Sequence, residues 1–284
     1  MSVGPASPLR RVWSTLRRQP LGMVAALILL LVVVCALFAP WIAPYPPDAI
    51  DLASRLQPPS ASHWAGTDEV GRDILSRLIH GARASLGVGL GIVLIGSSLG
   101  IVIGSVAGYL GGTTDAVIGR IVDTLLAMPA MVIALALSAA MGPGLGNAMI
   151  ALGGVSVPMY ARLARGQALS LRERDFVRAS RALGAGTFHQ LRHNIVPNLL
   201  PAAIVFMTFH LGNAILAASA LSFIGLGAQP PLAEWGSLVS TGRGFVLQHW
   251  WYAVIPGIVI VVTTAAINLL GDVARDAVDA RGSH

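Results

Sequence analysis

Uncharged apolar runs separated by short polar segments set the pattern of this chain. A helix needs about 20 apolar residues to cross a bilayer. Six stretches suit that purpose: Leu21–Ala43, Ala84–Leu110, Ile121–Met141, Asn147–Ala161, Pro197–Ser219 and Trp250–Gly271. The third and fourth flank the break Gly142-Pro143-Gly144, and the fourth is short. The pattern predicts an all-α membrane protein with six spanning helices.

The polar segments give the orientation. Seven arginines lie between Tyr160 and Asn198, while Thr124–Ala161 and His193–Ala233 carry no Asp, Glu, Lys or Arg. With the N-terminus inside, the inner segments 1–20, 111–120, 162–192 and 272–284 hold 14 arginines, and the outer segments 44–83, 142–146 and 220–249 hold 5. The bias toward the inner side places both termini in the cytoplasm. Trp41, Tyr45, Trp250, Trp251 and Tyr252 fall at span ends, where an interfacial aromatic belt belongs. Arg17-Arg18 before an apolar run also fits a signal peptide. The run is long for that role and lacks a small-x-small cleavage site, so it is read as an uncleaved anchor ended by Pro40 and Pro44.

The arginine-rich inner segment reads as folded. Ser170-Leu171-Arg172-Glu173 and Thr187-Phe188-His189-Gln190 both fit the capping box, and Gly184 and Gly186 lie where a first helix would stop. Two short helices on the inner face are expected, forming a docking surface for a soluble partner. The outline resembles a helix-turn-helix, but both ends are held at the membrane, which argues against nucleic acid. In the second run Gly96, Gly100, Gly104, Gly108 and Gly112 recur every four residues, predicting five glycines on one face where helix backbones approach closely.

Composition narrows the chemistry. The chain is 55% apolar and 11% charged, against about a quarter charged for a soluble domain. All 19 basic residues are arginine, so neither a P-loop lysine nor a lysine Schiff base exists. No cofactor site is expected on this chain. The single Cys35 excludes an internal disulfide. No catalytic constellation appears: His63, His80 and His249 lack metal-like spacing, His210 reads as packed between helices, and Asp123 has Arg120 three residues before it as a local ion-pair partner. In the outer segment, Gly66 and Gly71 bracket a polar turn, with a helix start near Asp73.

Four blocks carry a resemblance to a known family. They are HWAGTDEVGRDILSRLIHGARASL from His63, DFVRASRALGAGTFHQLRHNIVPN from Asp175, LSFIGLGAQPPLAEWG from Leu221 and NLLGDVARDAVD from Asn268. The chain resembles the inner-membrane permease of a dipeptide/oligopeptide/nickel-type ABC importer, the subunit with an extra N-terminal domain. The second block resembles that family's cytoplasmic coupling loop. Arg178-Ala179-Ser180 stands where Glu-Ala-Ala is usual, Gly184 and Pro197 match, and Asn194 departs from an Ile position.

The resemblance implies a type I permease fold paired with a homologous permease, with two ATPase subunits inside that carry ATP and Mg, and a solute-binding protein outside. It implies a tail over 1–20, an anchor helix and outer segment over 21–82, a permease domain over 83–272 with its coupling loop at 165–195, and a tail over 273–284. Phe176–Leu183 is the expected docking helix, with Phe176, Arg178, Ala179, Ser180, Leu183 and Gly184 as its coupling residues. The outer segments are expected to form a rim for the binding protein through Asp68, Glu69, Arg72 and Glu234. A short peptide, dipeptide or D,D-dipeptide, is the expected substrate, with nickel and glutathione as alternatives. An ion-coupled secondary transporter is disfavoured because the spans are nearly free of carboxylates.

Overall fold

The computed structural model describes residues 19–279. Arg10, Arg11, Arg17, Arg18 and Arg281, which enter the orientation argument, lie outside them. The regular elements among the described residues are helices, and their one β-type contact is an isolated bridge between Thr67 and Asp73. We number the helices α1 Pro20–Ile42, α2 Ile74–Leu110, α3 Gly112–Leu126, α4 Ala130–Met141, α5 Leu145–Leu171, α6 Asp175–Ala182, α7 Thr187–Phe223, α8 Trp235–Gly242 and α9 Trp251–Asp279.

Among these, α1, α2, α7 and α9 are long and apolar enough to cross a membrane. The expected third span is not one straight helix. It is the pair α3 and α4, bent by 86°. Pro129 explains the break, because a proline removes a backbone donor and pushes the residue before it out of helical conformation. The fourth expected span lies inside α5, whose apolar run is diluted by glycines, Asn147 and Arg162.

The chain divides into two compact units. In the first, α1 lays a small-residue face of Ala25, Ala36 and Ala39 inward, and Ala36 joins a core with Ile260 of α9. Leu21, Leu27, Leu30, Leu31 and Leu37 point outward, as a lipid-facing helix requires. Trp235 of α8 is buried and donates its indole N–H to the Leu78 carbonyl at 3.0 Å, pinning α8 to the start of α2. Glycines permit two close approaches in this unit: a Cβ on Gly236 would stand 2.5 Å from Ser219, and one on Gly212 would stand 2.6 Å from Asn268.

In the second unit, α2 and α5 cross through the glycine face. A Cβ on Gly104 would lie 2.1 Å from the Ala161 carbonyl oxygen, and one on Gly108 would lie 2.5 Å from that of Arg165. Gly96 and Gly100 meet Ser156, Val157 and Tyr160 in the same way. The face holds four glycines rather than five. Helix α2 ends at Leu110, and Gly112 has φ +54° with open space around it.

Candidate functional site

The inner segment is built in the second unit. Helix α5 runs through Ser170 to Leu171, so the first expected capping box does not form. Helix α6 instead starts at Asp175 after Arg174, with no side-chain cap. Asp175 places an acid in the first turn, where the helix dipole favours it. The stop is as expected. Gly184 has φ +86°, its N–H bonds the Arg181 carbonyl at 2.9 Å, and the Ala185 N–H bonds the Ser180 carbonyl at 3.1 Å. That is the Schellman pattern, which satisfies free carbonyls at a helix end.

The second short helix does not stand alone. Thr187 opens α7 without a side-chain cap, and the chain runs on through a π-helical stretch, Gln190–Ile195, into the long apolar part. The second capping box therefore does not form either. Both patterns fail because Gly186 precedes Thr187 as the capping position and because the loop before α6 begins only after Leu171.

One residue of α6 faces inward. Val177 is fully buried against Tyr109, Ala164, Ala168, Ile195 and Leu199. Phe176 is 46% exposed and Leu183 89% exposed. Arg178 and Arg172 both donate to Glu173, at 2.8 and 3.1 Å. Those hydrogen bonds, Arg178 first, hold the Glu173 carboxyl below its ordinary range. Arg181 stacks over the Tyr109 ring at 5.3 Å. Ser180 and Asn194, two of the departures from the family pattern, touch each other: the Asn194 amide donates to Ser180 Oγ at 3.1 Å and to Gln190 Oε1 at 2.6 Å.

Ion pairs tie α3 to α5 in this unit. Arg165 makes a two-pronged contact with Asp115, its Nη2 lying 2.7 Å from Oδ2. Asp123 pairs with Arg162, not with its helix neighbour Arg120. Sequence spacing finds the i,i+3 partner but cannot see a residue 39 positions away.

The outer segment belongs to the first unit. Gly66 and Gly71 both have positive φ, and a Cβ on Gly71 would stand 1.7 Å from the Asp51 carbonyl oxygen. Asp73 caps α2 by accepting from the Ser76 N–H and hydroxyl, each at 2.7 Å, and its other oxygen meets His63 Nδ1 at 3.0 Å.

The rim charges are placed differently from expectation. Asp68 and Glu234 are both 0% exposed, and the Arg72 side chain is 11% exposed. Asp68 accepts from the Val70 and Arg72 N–H groups at 3.0 and 2.9 Å and from Arg72 Nε at 2.6 Å. Glu234 caps α8 through the Gly236 and Ser237 N–H groups, both at 2.9 Å, and receives the Ser85 hydroxyl at 3.2 Å. Glu69 receives the Tyr252 hydroxyl and Arg72 Nη2. These groups hold the loops in shape, since a buried carboxylate must be hydrogen-bonded.

Long helices packed through glycines, a short helix with exposed apolar residues and a bent helix pair make up a helical membrane-protein architecture. The fold is that of an ABC type I permease. It resembles the MetNI methionine ABC transporter in an inward-facing conformation, with a TM-score of 0.60 and 17% identity over 72% of this chain and 97% of that one. Residues 100–284 match the family described as binding-protein-dependent transport system inner membrane component, and residues 7–59 match the N-terminal TM domain of oligopeptide transport permease C.

The chain belongs to the binding-protein-dependent transport system inner membrane component family and is a multi-pass protein of that membrane. It is 47% identical to the probable D,D-dipeptide transport system permease protein DdpC of Escherichia coli (strain K12), over 94% of this chain and 90% of that one. It is 43% identical to the di/tripeptide transport system permease protein DppC of Pseudomonas aeruginosa (strain UCBPP-PA14), over 96% and 92%. It is 41% identical to the glutathione transport system permease protein GsiD of Escherichia coli O6:K15:H31 (strain 536 / UPEC), over 96% and 90%.

Proposed function

We propose that this chain forms half of the translocation pathway of an ATP-driven importer for a short peptide, a dipeptide or D,D-dipeptide. A homologous permease would supply the other half, two ATPase subunits would bind inside and a solute-binding protein would deliver the peptide outside. The relatives named for D,D-dipeptide and di/tripeptide transport support the substrate class, matching over 90% and 92% of their own length and 47% and 43% identical to this chain. Glutathione is itself a short peptide, so the relative named for it fits the same class.

The observation that carries the coupling role is α6. It is short, stopped by Gly184, has Val177 as its one buried residue, and presents Phe176 and Leu183 outward. Exposed apolar side chains on a helix anchored by a single buried residue suit insertion into a cleft of a soluble subunit. This chain has no lysine for a nucleotide site, so ATP and Mg belong to the partner subunits. Their closure on ATP would move α6 and turn the cavity outward, and hydrolysis would reset it. Peptide alone can shift that equilibrium only by its differential affinity for the two states.

Six crossings follow if the bent α3–α4 pair counts as one and α5 as another, beside α1, α2, α7 and α9. The arginine distribution supports an orientation with both termini in the cytoplasm.

The test is ATP hydrolysis by the assembled complex with its loaded binding protein. Ala179→Asp puts a charge on an exposed position of α6. It should abolish peptide-stimulated hydrolysis while the complex still assembles in the membrane. Undiminished stimulation in the purified variant would remove α6 from the coupling role.

A further inference from the structure

A cavity of about 520 Å³ opens in the first unit, bounded by the segment after α1, the start of α2 and the loop before α8. Pro47, Leu145, Pro231 and Leu232 give it a largely apolar wall, and Asp48, His80 and Arg83 converge on it. A concave, mostly apolar space of about 300–1,000 Å³ with a few convergent polar groups is the usual form of a small-molecule site.

The three polar groups differ from the other charges of this unit. Arg77, two turns before Ala84 on α2, is held by the Pro47 and Pro231 carbonyls at 3.0 and 3.3 Å. Arg72 is locked to Asp68. Arg83 and His80 have no hydrogen-bond or ion-pair partner among the described residues. Asp48 has one long contact, 3.4 Å to Arg77, and its side chain is 61% exposed. Two unengaged donors therefore line the same cavity as a largely unengaged carboxylate.

The level of the cavity also matters. Arg83 immediately precedes the uncharged stretch Ala84–Leu110 of α2. At about 1.5 Å per residue those residues cover about 40 Å, more than the hydrocarbon core. Arg83 therefore sits at the membrane–water boundary, on the outer side under the orientation proposed above. A guanidinium there without a protein partner is satisfied by water or by an anion.

We propose that this cavity is an outer subsite for a zwitterionic short peptide, whose α-carboxylate meets Arg83 and His80 and whose α-ammonium meets Asp48. The inference rests on the peptide-importer reading and adds the place where the peptide first meets this subunit. A guanidinium binds a carboxylate through two parallel hydrogen bonds, which fixes the end of the peptide that enters. The apolar wall tolerates varied side chains between the two termini.

A phosphatidylethanolamine headgroup carries the same pair of charges. The test therefore uses vesicles of phosphatidylcholine and phosphatidylglycerol, which lack a primary ammonium. The complete transporter is reconstituted with its ATPases and binding protein, and uptake of labelled dialanine is measured together with ATP hydrolysis. Failure of the wild type to take up dialanine overturns the peptide reading and the subsite with it. With the wild type active, Arg83→Gln and Asp48→Asn should each lower the peptide moved per ATP about tenfold, the loss of one charged hydrogen bond. Arg83→Lys should retain most of the transport, and binding-protein docking should stay at the wild-type level in all three. Wild-type uptake in the Gln and Asn variants, or a loss that merely follows weaker assembly with the second permease, overturns the subsite while leaving the peptide reading intact.

Discussion

Ser180 and Asn194 show how a departure from a family pattern can be physically paired. Asn194 stands where an apolar residue is usual, half-buried and 14 positions from Ser180, and its amide bridges Ser180 Oγ and Gln190 Oε1. Ser180→Ala removes one acceptor and should cost about 0.5–1.5 kcal/mol. Asn194→Ile leaves the buried Gln190 carbonyl without this donor and should cost more. The double variant should be more stable than the sum of the two losses, because both partners go together. Thermal unfolding of the four purified proteins measures the coupling, and additive losses would mean that the two side chains act separately. The rim charges carry the opposite lesson. Asp68, Arg72 and Glu234 read as surface groups because charged residues in glycine-rich loops usually are. Their pairing as caps and turn-closers depends on which backbone N–H groups the fold turns toward them. Neither the capping of α8 by Glu234 nor its burial against Ser85 was read from the sequence.

At the scale of elements, the long helices and the break at Gly142-Pro143-Gly144 were legible, and the bend inside the third expected span was not. Uninterrupted apolar runs locate α1, α2, α7 and α9 because the bilayer demands length and apolarity together. The bend between α3 and α4 was marked only by Pro129, and a proline inside an apolar run can kink a helix or end it. The glycine face was legible as a face because α2 holds its period, and it lost Gly112 because the helix stops two residues earlier. Its partner could not be read from sequence. With a Cβ at Gly104 only 2.1 Å from the Ala161 carbonyl oxygen, backbone must move to admit any side chain. Gly104→Leu should destabilise the protein by about 1–3 kcal/mol or more and lower the yield of assembled complex. Gly154→Leu is the control, since nothing lies within 4 Å of a Cβ at Gly154. Equal yields for the two variants would show that the α2–α5 contact opens freely.

At the scale of the whole molecule, the course of the chain across the membrane turns on the bent pair. Helix α3 begins beside the end of α2, two residues after Leu110. The turn after α4 is bonded elsewhere: the Gly144 N–H donates to the Leu226 carbonyl at 3.2 Å, just past the end of α7. Helix α7 itself begins at Thr187, next to α6. Under the six-crossing reading proposed above, this pair crosses the membrane even though it bends by 86°. The expectation follows for labelling with a membrane-impermeant thiol reagent in a Cys35→Ala background. Leu247 and Leu183 are 93% and 89% exposed, so a cysteine at either is open to solvent in this chain. Leu247→Cys should react in intact inner-membrane vesicles oriented as in the cell, and Leu183→Cys should react only after permeabilisation. The arginine bias points the same way, since the segment around Leu183 carries half of the 14 inner arginines. Labelling of Leu183→Cys without permeabilisation would put α6 on the wrong side for an ATPase. It would also turn the α3–α4 pair into a re-entrant loop, because one crossing fewer before α5 reverses every segment that follows.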